Sequence, residues 1–245
     1  MKALGFAARN AKEMLRDKLT LIFGIGFPVV LMLLLSFIQS NIPVDLFVID
    51  HLTPGIIVFG FSFIALFSGL VIAKDRSGSF MLRLLTSPMK ASDFILGYTL
   101  PLIPMFLAQS ILCFAVAFIL GLDISINVLV CIVALIPAGI IFISLGLICG
   151  CIFNDKQVGG ICGALLTNIS AWLSGTWFDL KLVGGVFEDI AMVLPFARAV
   201  EAGRAALAGN YAQIMPHLVW VIGWAVILYI FAVIVFTTKM RSDSK

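Results

Sequence analysis

Arg198, Glu201 and Arg204 recur at every third residue, the spacing at which side chains on one helix face pair ionically. Few other residues are placed for chemistry. Cys113, Cys131, Cys149, Cys151 and Cys162 show no metal-ligand spacing and all fall in apolar stretches, where thiols pack as small apolar side chains. The sequence holds no HExxH helix, no GxSxG turn and no GxxxxGK[ST] phosphate loop, so protease, hydrolase and ATPase chemistry lack their reacting groups. The reading is a chain that is not itself an enzyme and binds no metal or cofactor of its own. If it moves something uphill, the energy comes from elsewhere.

The elements that position these residues follow from hydropathy. Of 245 residues 62% are hydrophobic and 12% charged, too apolar for a water-soluble fold. Six stretches contain no charged residue: Leu19 to Ile38, Pro54 to Ala73, Phe94 to Leu120, Val128 to Phe153, Val158 to Phe178 and Leu218 to Thr238. About 20 helical residues cross a hydrocarbon core roughly 30 Å thick, so each reads as a membrane span. The ten-residue alternation of a transmembrane barrel is missing. The fold class is therefore an all-α polytopic membrane protein with six transmembrane helices. It has an interfacial amphipathic helix over residues 1–18 and a single membrane domain over 19–245, with short re-entrant or outer helices between the fifth and sixth spans.

Basic residues set the orientation. Lys2, Arg9, Lys12, Arg16 and Lys18 precede the first span, Lys74, Arg76, Arg83 and Lys90 follow the second, Lys156 follows the fourth, and Lys239, Arg241 and Lys245 end the chain. The loop from Gln39 to Thr53 and the turn around Asp123 have no Lys or Arg, which places both termini in the cytoplasm of a cell-membrane protein. The loop holding Lys181, Arg198 and Arg204, and both His51 and His217, then face outward. The first apolar run has no small-residue cleavage site after it and reads as an uncleaved anchor.

In the first eighteen residues Ala3, Leu4, Ala7, Ala8, Ala11, Met14 and Leu15 share one helix side, opposite Lys2, Arg9, Lys12, Glu13 and Arg16, while Phe6 and Lys18 break the pattern. Such a helix lies in the inner membrane interface with its apolar side down. The plainer alternative is a positive-inside anchor. In the loop from Lys74 to Asp93, Gly78 breaks the preceding helix, Ser79 can cap a new one and Pro88 stops it, giving a short helix at about 79–87. Phe80, Leu82, Leu84 and Leu85 give it more apolar surface than a free loop needs. It is either a docking knob for another protein or a segment packed on the bundle's own rim.

The outward loop from Thr176 to His217 has an apolar first half, Leu180 to Leu194, interrupted by Gly184-Gly185 and Pro195, of interfacial or re-entrant length. Its second half carries Arg198, Glu201 and Arg204 and stops at Gly209-Asn210. It reads either as an outer gate or as two surface helices capping the bundle. Three small-xxx-small pairs, Gly146 and Gly150, Gly159 and Gly163, Gly160 and Ala164, allow close helix approach. Gln109 and Asn168 are expected to face a partner helix or a wet cavity. Pro101, Pro104 and Pro137 are expected to kink the third and fourth spans.

The order of these features resembles the membrane permease subunits of type-2 ATP-binding-cassette exporters. Pro54-Gly55-Ile56 resembles the family's start to its second span. Asp75-Arg76, then Leu82-Arg83-Leu84-Leu85-Thr86-Ser87-Pro88, resembles its cytoplasmic stretch, an acidic-Arg pair before a Leu-rich helix. Leu173-Ser174-Gly175, and Pro195-Phe196 with Ala199-Val200-Glu201, resemble the end of its fifth span and the helix before its sixth. The family often has Glu where Asp75 stands, Pro near Asp179 and Asn in place of Leu194.

The resemblance implies an ATP-driven exporter of an amphipathic or lipophilic substrate: a drug, antibiotic, peptide or lipid. Two separate ATPase subunits would use ATP and Mg, and a second permease, identical or a paralogue, would complete the path through the lipid bilayer; no nucleic acid is involved. It makes residues 79–87 the coupling helix, with Asp75, Arg76, Phe80, Leu82, Arg83 and Leu85 contacting the ATPase and Arg9, Lys12 and Arg16 forming a second contact. It points to Phe63, Phe67, Asn168 and Trp172 for the substrate path, on the second and fifth spans. The alternative is a structural or regulatory membrane scaffold without transport.

Overall fold

The structure is a computed structural model that describes residues 2–78, 89 and 91–243; among them every regular element is helical. The chain starts with α1 (Lys2–Arg16) and a short α2 (Lys18–Leu21), which leads through a π-helical turn, Ile22–Gly26, into α3 (Phe27–Gln39). The long α4 (Ile49–Ser77) follows, then α5 (Ala91–Thr99), α6 (Leu102–Ile119) and α7 (Ile126–Ile152). Next come α8 (Asp155–Gly160), a second π turn, Ile161–Leu166, and α9 (Thr167–Leu173). The outer helices α10 (Leu180–Val183), α11 (Gly185–Val193) and α12 (Pro195–Leu207) precede the last helix, α13 (Tyr211–Asp243).

Among the described residues five helices are long and apolar enough to cross a membrane: Ile22–Gln39, Ile49–Ser77, Ser92–Ile119, Ile126–Ile152 and Tyr211–Lys239. The stretch expected to be the fifth of six spans, Val158 to Phe178, is shorter than its charge-free length implies. Helix begins at Asp155 and stops at Leu173, where Ser174 and the positive φ of Gly175 turn the chain. Polar Asp155, Lys156 and Asn168 dilute this run. The third span breaks at Leu100-Pro101 between α5 and α6, as a ring without an N–H requires, whereas Pro137 leaves α7 unbroken.

Helix α4 is the centre of the bundle. Of its most apolar stretch 83% is buried, against 22% for the first span and 17% for α13, so the first and last spans lie at the rim. Helices α4 and α7 meet along the Gly146–Gly150 stripe. A Cβ on Gly146 would sit 2.7 Å from Ser68 Cβ and closer still to the Ala65 carbonyl, while Ser68 Oγ donates to Ile143 O across the same seam at 3.1 Å. Gln109 does reach a partner helix, its Nε2 donating to Ile57 O at 3.2 Å.

Helix α12 does not cap the bundle from outside. It is wedged against α4, α7 and α13 with Phe196, Ala199, Val200 and Ala206 buried, and Gly203 lies so close to Pro54 that a Cβ would come within 2.8 Å. The interruption foreseen at Gly184-Gly185 is the α10–α11 turn, where both residues have positive φ, 62° and 58°. Four of the five cysteines are buried, and all are unpaired thiols.

Candidate functional site

Asp75 and Arg76, in the last turn of α4, are consecutive and therefore point about 100° apart around the helix. Each holds a different neighbour. Arg9 grips the Asp75 carboxylate with both ends of its guanidinium, Nη1 to Oδ2 at 2.9 Å and Nη2 to Oδ1 at 3.2 Å, and it also pairs with Glu13 at 2.8 Å. Tyr98 on α5 donates its hydroxyl to Asp75 Oδ2 at 3.0 Å. Bidentate geometry with a shared acceptor makes this a charge-assisted network whose acid is almost fully inside the protein. On the other side Arg76 Nη1 donates to Gly150 O at 2.9 Å. That carbonyl lies in the final turn of α7, where no helical N–H remains to take it and the helix dipole favours a cation.

Helix α1 is held by more than charge. Phe6 packs edge-on against Phe94 and Tyr98, with centroids at 5.8 and 5.0 Å, and Phe236 of α13 closes the cluster against the same two rings. Asn10, buried in the middle of the contact, accepts from Arg9 and donates to Gly97 O at 3.0 Å. Gly97 has no room for a side chain, because a Cβ would press into the Phe6 ring.

The inward face of α1 is thus Phe6, Ala7, Asn10 and Met14, which corrects the single apolar face read from the sequence. Leu4, Ala8 and Leu15, read as part of that same apolar side, do not pack on the bundle and are exposed. The helix has three faces: one on the bundle, one apolar and outward, and one basic with Lys12 and Arg16. Phe6, which broke the expected pattern, is its main anchor. Phe6→Ala is expected to destabilise the α1 contact by about 3 kcal/mol through the cavity left among three rings, read as faster hydrogen exchange across Lys2–Arg16. Tyr98→Phe keeps that packing and removes only the hydroxyl, for an expected loss of about 1–2 kcal/mol in thermal unfolding.

The acidic-Arg pair therefore ties α1, α5 and α7 to the last turn of α4. Asp75 is 5% exposed and faces into the protein, where Arg9 and Tyr98 hold its carboxylate. Phe80, Leu82, Arg83 and Leu85 lie outside the described residues. Lys12 and Arg16 are exposed on α1, while Arg9 is committed to Asp75 and Glu13.

The residues assigned to a path are not gathered in one place. Phe63 and Phe67 are buried; Phe63 joins an aromatic ladder with Phe23, Phe27 and Phe59, which continues to Trp177. Asn168 and Trp172 are exposed, and Asn168 Nδ2 bonds its own helix at Ala164 O, 2.8 Å away, instead of a neighbouring helix within the chain.

At the outer end the three expected partners divide. Glu201 and Arg204 pair at 2.8 Å, and Arg204 also donates to Gly175 O at 2.8 Å and His51 O at 3.2 Å, tying the end of α9 to the start of α4. Arg198 takes no part. Its Nε donates to Met192 O and its guanidinium lies 5.8 Å from the Trp220 ring centre. Trp220 and Trp224 both donate to Val193 O, at 2.9 and 3.1 Å. These last carbonyls of α11 need outside donors because Leu194 is extended and Pro195 has no N–H. An open cleft of about 390 Å³ beside Arg204 is lined by Asp50, His51, Asp123, Glu201 and His217.

A central apolar helix ending in a buried ionic clamp, with spans packed around it, defines a multi-pass helical membrane protein whose polar machinery sits at the two membrane faces. The sequence model described as ABC-2 type transporter matches residues 4–208, most of the chain, and the protein belongs to that family. It is a membrane permease domain without ATPase motifs. Among curated proteins none matches the sequence.

Proposed function

We propose that this chain is the transmembrane half of an ATP-driven exporter that carries an amphipathic or lipophilic molecule out of the cytoplasm or inner leaflet. Two separate ATPase subunits supply ATP and Mg, and a second permease pairs with this one. Six crossings, counting the Asp155–Leu173 run, put both termini in the cytoplasm of a cell-membrane protein, as the distribution of basic residues favours.

The observation that carries this reading is the clamp at Asp75-Arg76. A loop that only connects two spans needs no such foundation, but a loop that transmits force does. With α1, α5 and α7 fastened to the last turn of α4, a push on residues 79–87 would be delivered to the centre of the bundle through α4 instead of being absorbed at a hinge. Asp75 serves by holding Arg9 and Tyr98, while Arg76 and exposed Lys12 and Arg16 flank the docking face.

Pairing with a second permease is favoured by the outward stripe Gly160, Ala164, Asn168 and Trp172. A Cβ on Gly160 would meet nothing within 4 Å, and an exposed asparagine among Leu165 and Ile169 is poorly suited to lipid. Such a stripe would border the substrate path between the two copies, with Phe63 and Phe67 contributing only if α3 moves off α4.

Leu82→Asp with Leu85→Asp is expected to abolish co-purification of the ATPase and substrate-coupled ATP hydrolysis while membrane insertion is unchanged. Undiminished association and coupling in that variant would remove the loop from the mechanism.

A further inference from the structure

Two π-helical turns grip the central helix at one level. Gly24, in the turn Ile22–Gly26, lies under Phe67, where a Cβ would come within 2.8 Å of the ring. Gly163, in the turn Ile161–Leu166, lies against Leu66, where a Cβ would come no nearer than 3.4 Å. Leu66 and Phe67 are adjacent residues of α4. A π turn carries one residue more than an α turn, so reverting to α rotates everything beyond it by about 100° and advances it by about 1.5 Å.

The two turns are held differently. In the first, Phe27 N–H reaches back to Ile22 O, and Pro28 supplies no N–H to restore the α ladder. Phe67 and Met105 also close over Gly24, where a Cβ would lie 2.5 Å from Met105 Cε. Chemistry and packing both fix this turn. The second contains no proline and has only loose contact at Gly163. Thr167 N–H goes to Ala164 O, and the Thr167 hydroxyl donates to Cys162 O, five residues back, at 3.0 Å. Thr167 is buried, so no water replaces that donor readily. Asn168 and Ser170 likewise bond their own helix, at Ala164 O and Thr167 O, so side chains hold together a run whose backbone ladder is interrupted.

We propose that the turn Ile161–Leu166 is a register switch, latched in its π form by the Thr167 hydroxyl, and that its conversion to α rotates Thr167–Leu173 against a fixed α4. Rotation would carry Asn168 and Trp172 off the outward stripe. It would also pull on Gly175, whose carbonyl Arg204 holds, so the switch reaches the outer ion pair without passing through α4. The switch itself does not depend on the exporter reading; its use in transport does.

The test places a nitroxide label at each position from 168 to 173, in turn, in the full chain with its five cysteines replaced, and reads oxygen accessibility in lipid vesicles by electron paramagnetic resonance. At a lipid excess that keeps the chain as single copies, accessibility with Thr167 present is expected to peak at 168, 169 and 172. In Thr167→Val, without any ATPase, the peaks are expected to move by one residue, while labels at 156, 157 and 160 keep their values. Thr167→Ser, which keeps a hydroxyl, is expected to retain the original phase and serves as the folding control. An unmoved pattern in a folded Thr167→Val chain overturns the latch, and a shift at 156–160 as large as that beyond 167 overturns the switch in favour of whole-helix motion. Adding a partner ATPase trapped with nucleotide is expected to produce the same shift in the Thr167 chain. No shift in a complex that hydrolyses ATP overturns its use in transport. A shift in Thr167→Val from a chain that recruits no ATPase supports the switch and counts only against the exporter reading.

Discussion

Replacing Arg9 with alanine is expected to destabilise the chain by about 2–3 kcal/mol and to free α1, and to do more damage than Asp75→Asn. The asymmetry follows from where each charge sits. Asp75 is 5% exposed and Arg9 36%, so removing the guanidinium leaves a carboxylate inside the protein with Tyr98 as its remaining partner. Breaking a buried pair from one side costs roughly 3–5 kcal/mol, and the water that reaches Arg9 brings the expectation below that range. Asp75→Asn leaves a cation that hydrates easily, and the amide oxygen still accepts from Arg9 or Tyr98, for a loss of about 1–1.5 kcal/mol. In the Asp75→Asn background the Arg9→Ala change should therefore cost less than about 1 kcal/mol. Thermal unfolding of the four detergent-purified proteins gives the cycle, and hydrogen exchange over Lys2–Arg16 reports whether α1 has left. Equal, additive losses would mean that the pair does not anchor the helix. If the clamp transmits force, ATPase coupling falls in Arg9→Ala and stays low in the double variant, which lacks the pair as well, even though its stability is partly restored.

That pair could not be read from the sequence, because Arg9 and Asp75 are 66 residues apart and each has a nearer opposite charge, Glu13 and Lys74. What was legible was one-dimensional: charge-free runs long enough to span, a disturbance of the third span at Pro101, Gly184-Gly185 and Gly209 turning the chain. Orientation around a helix axis was legible only where two environments exist. Helix α1 meets three, so a two-sided wheel joined the outward Leu4 and Leu15 to the buried Ala7 and Met14. The missed signal was the stripe Phe6, Asn10, Met14 at i, i+4, i+8, in which an asparagine flanked by large apolar residues marks a buried helix contact.

Charge alone carried the fifth run on to Phe178, whereas the family resemblance ended it at Leu173-Ser174-Gly175, where the helix stops. A charge-free stretch bounds a helix only if nothing else stops it, and here Ser174-Gly175 did so before the first acid, Asp179. The family resemblance pointed to Asp75-Arg76 as contact residues. Burial narrows that expectation: Asp75 is turned inward onto Arg9 and Tyr98, and Arg76 onto Gly150 O.

Gly146→Val is expected to prevent accumulation of folded protein, whereas Gly160→Val is expected to leave the fold within about 0.5 kcal/mol of the parent. Both glycines belong to small-xxx-small pairs, and sequence alone ranks them equally. At Gly146 the atoms in the way are the Ala65 carbonyl and Ser68 Cβ, part of a helix enclosed on nearly every side, so no rotamer change makes room. Overpacking against side chains costs roughly 1–3 kcal/mol; against backbone the helices must separate, and the Ser68 to Ile143 bond across the seam goes with them. A loss above about 3 kcal/mol, a large fraction of what holds a small domain together, is the expected result. At Gly160 a side chain enters open space, so the yield of monodisperse protein and its melting temperature should match the parent. If the stripe through Ala164 and Asn168 faces a second permease, Gly160→Val instead reduces the fraction that runs as a dimer. A stable Gly146→Val protein would mean that α4 and α7 pack less closely than the Gly146–Gly150 seam requires.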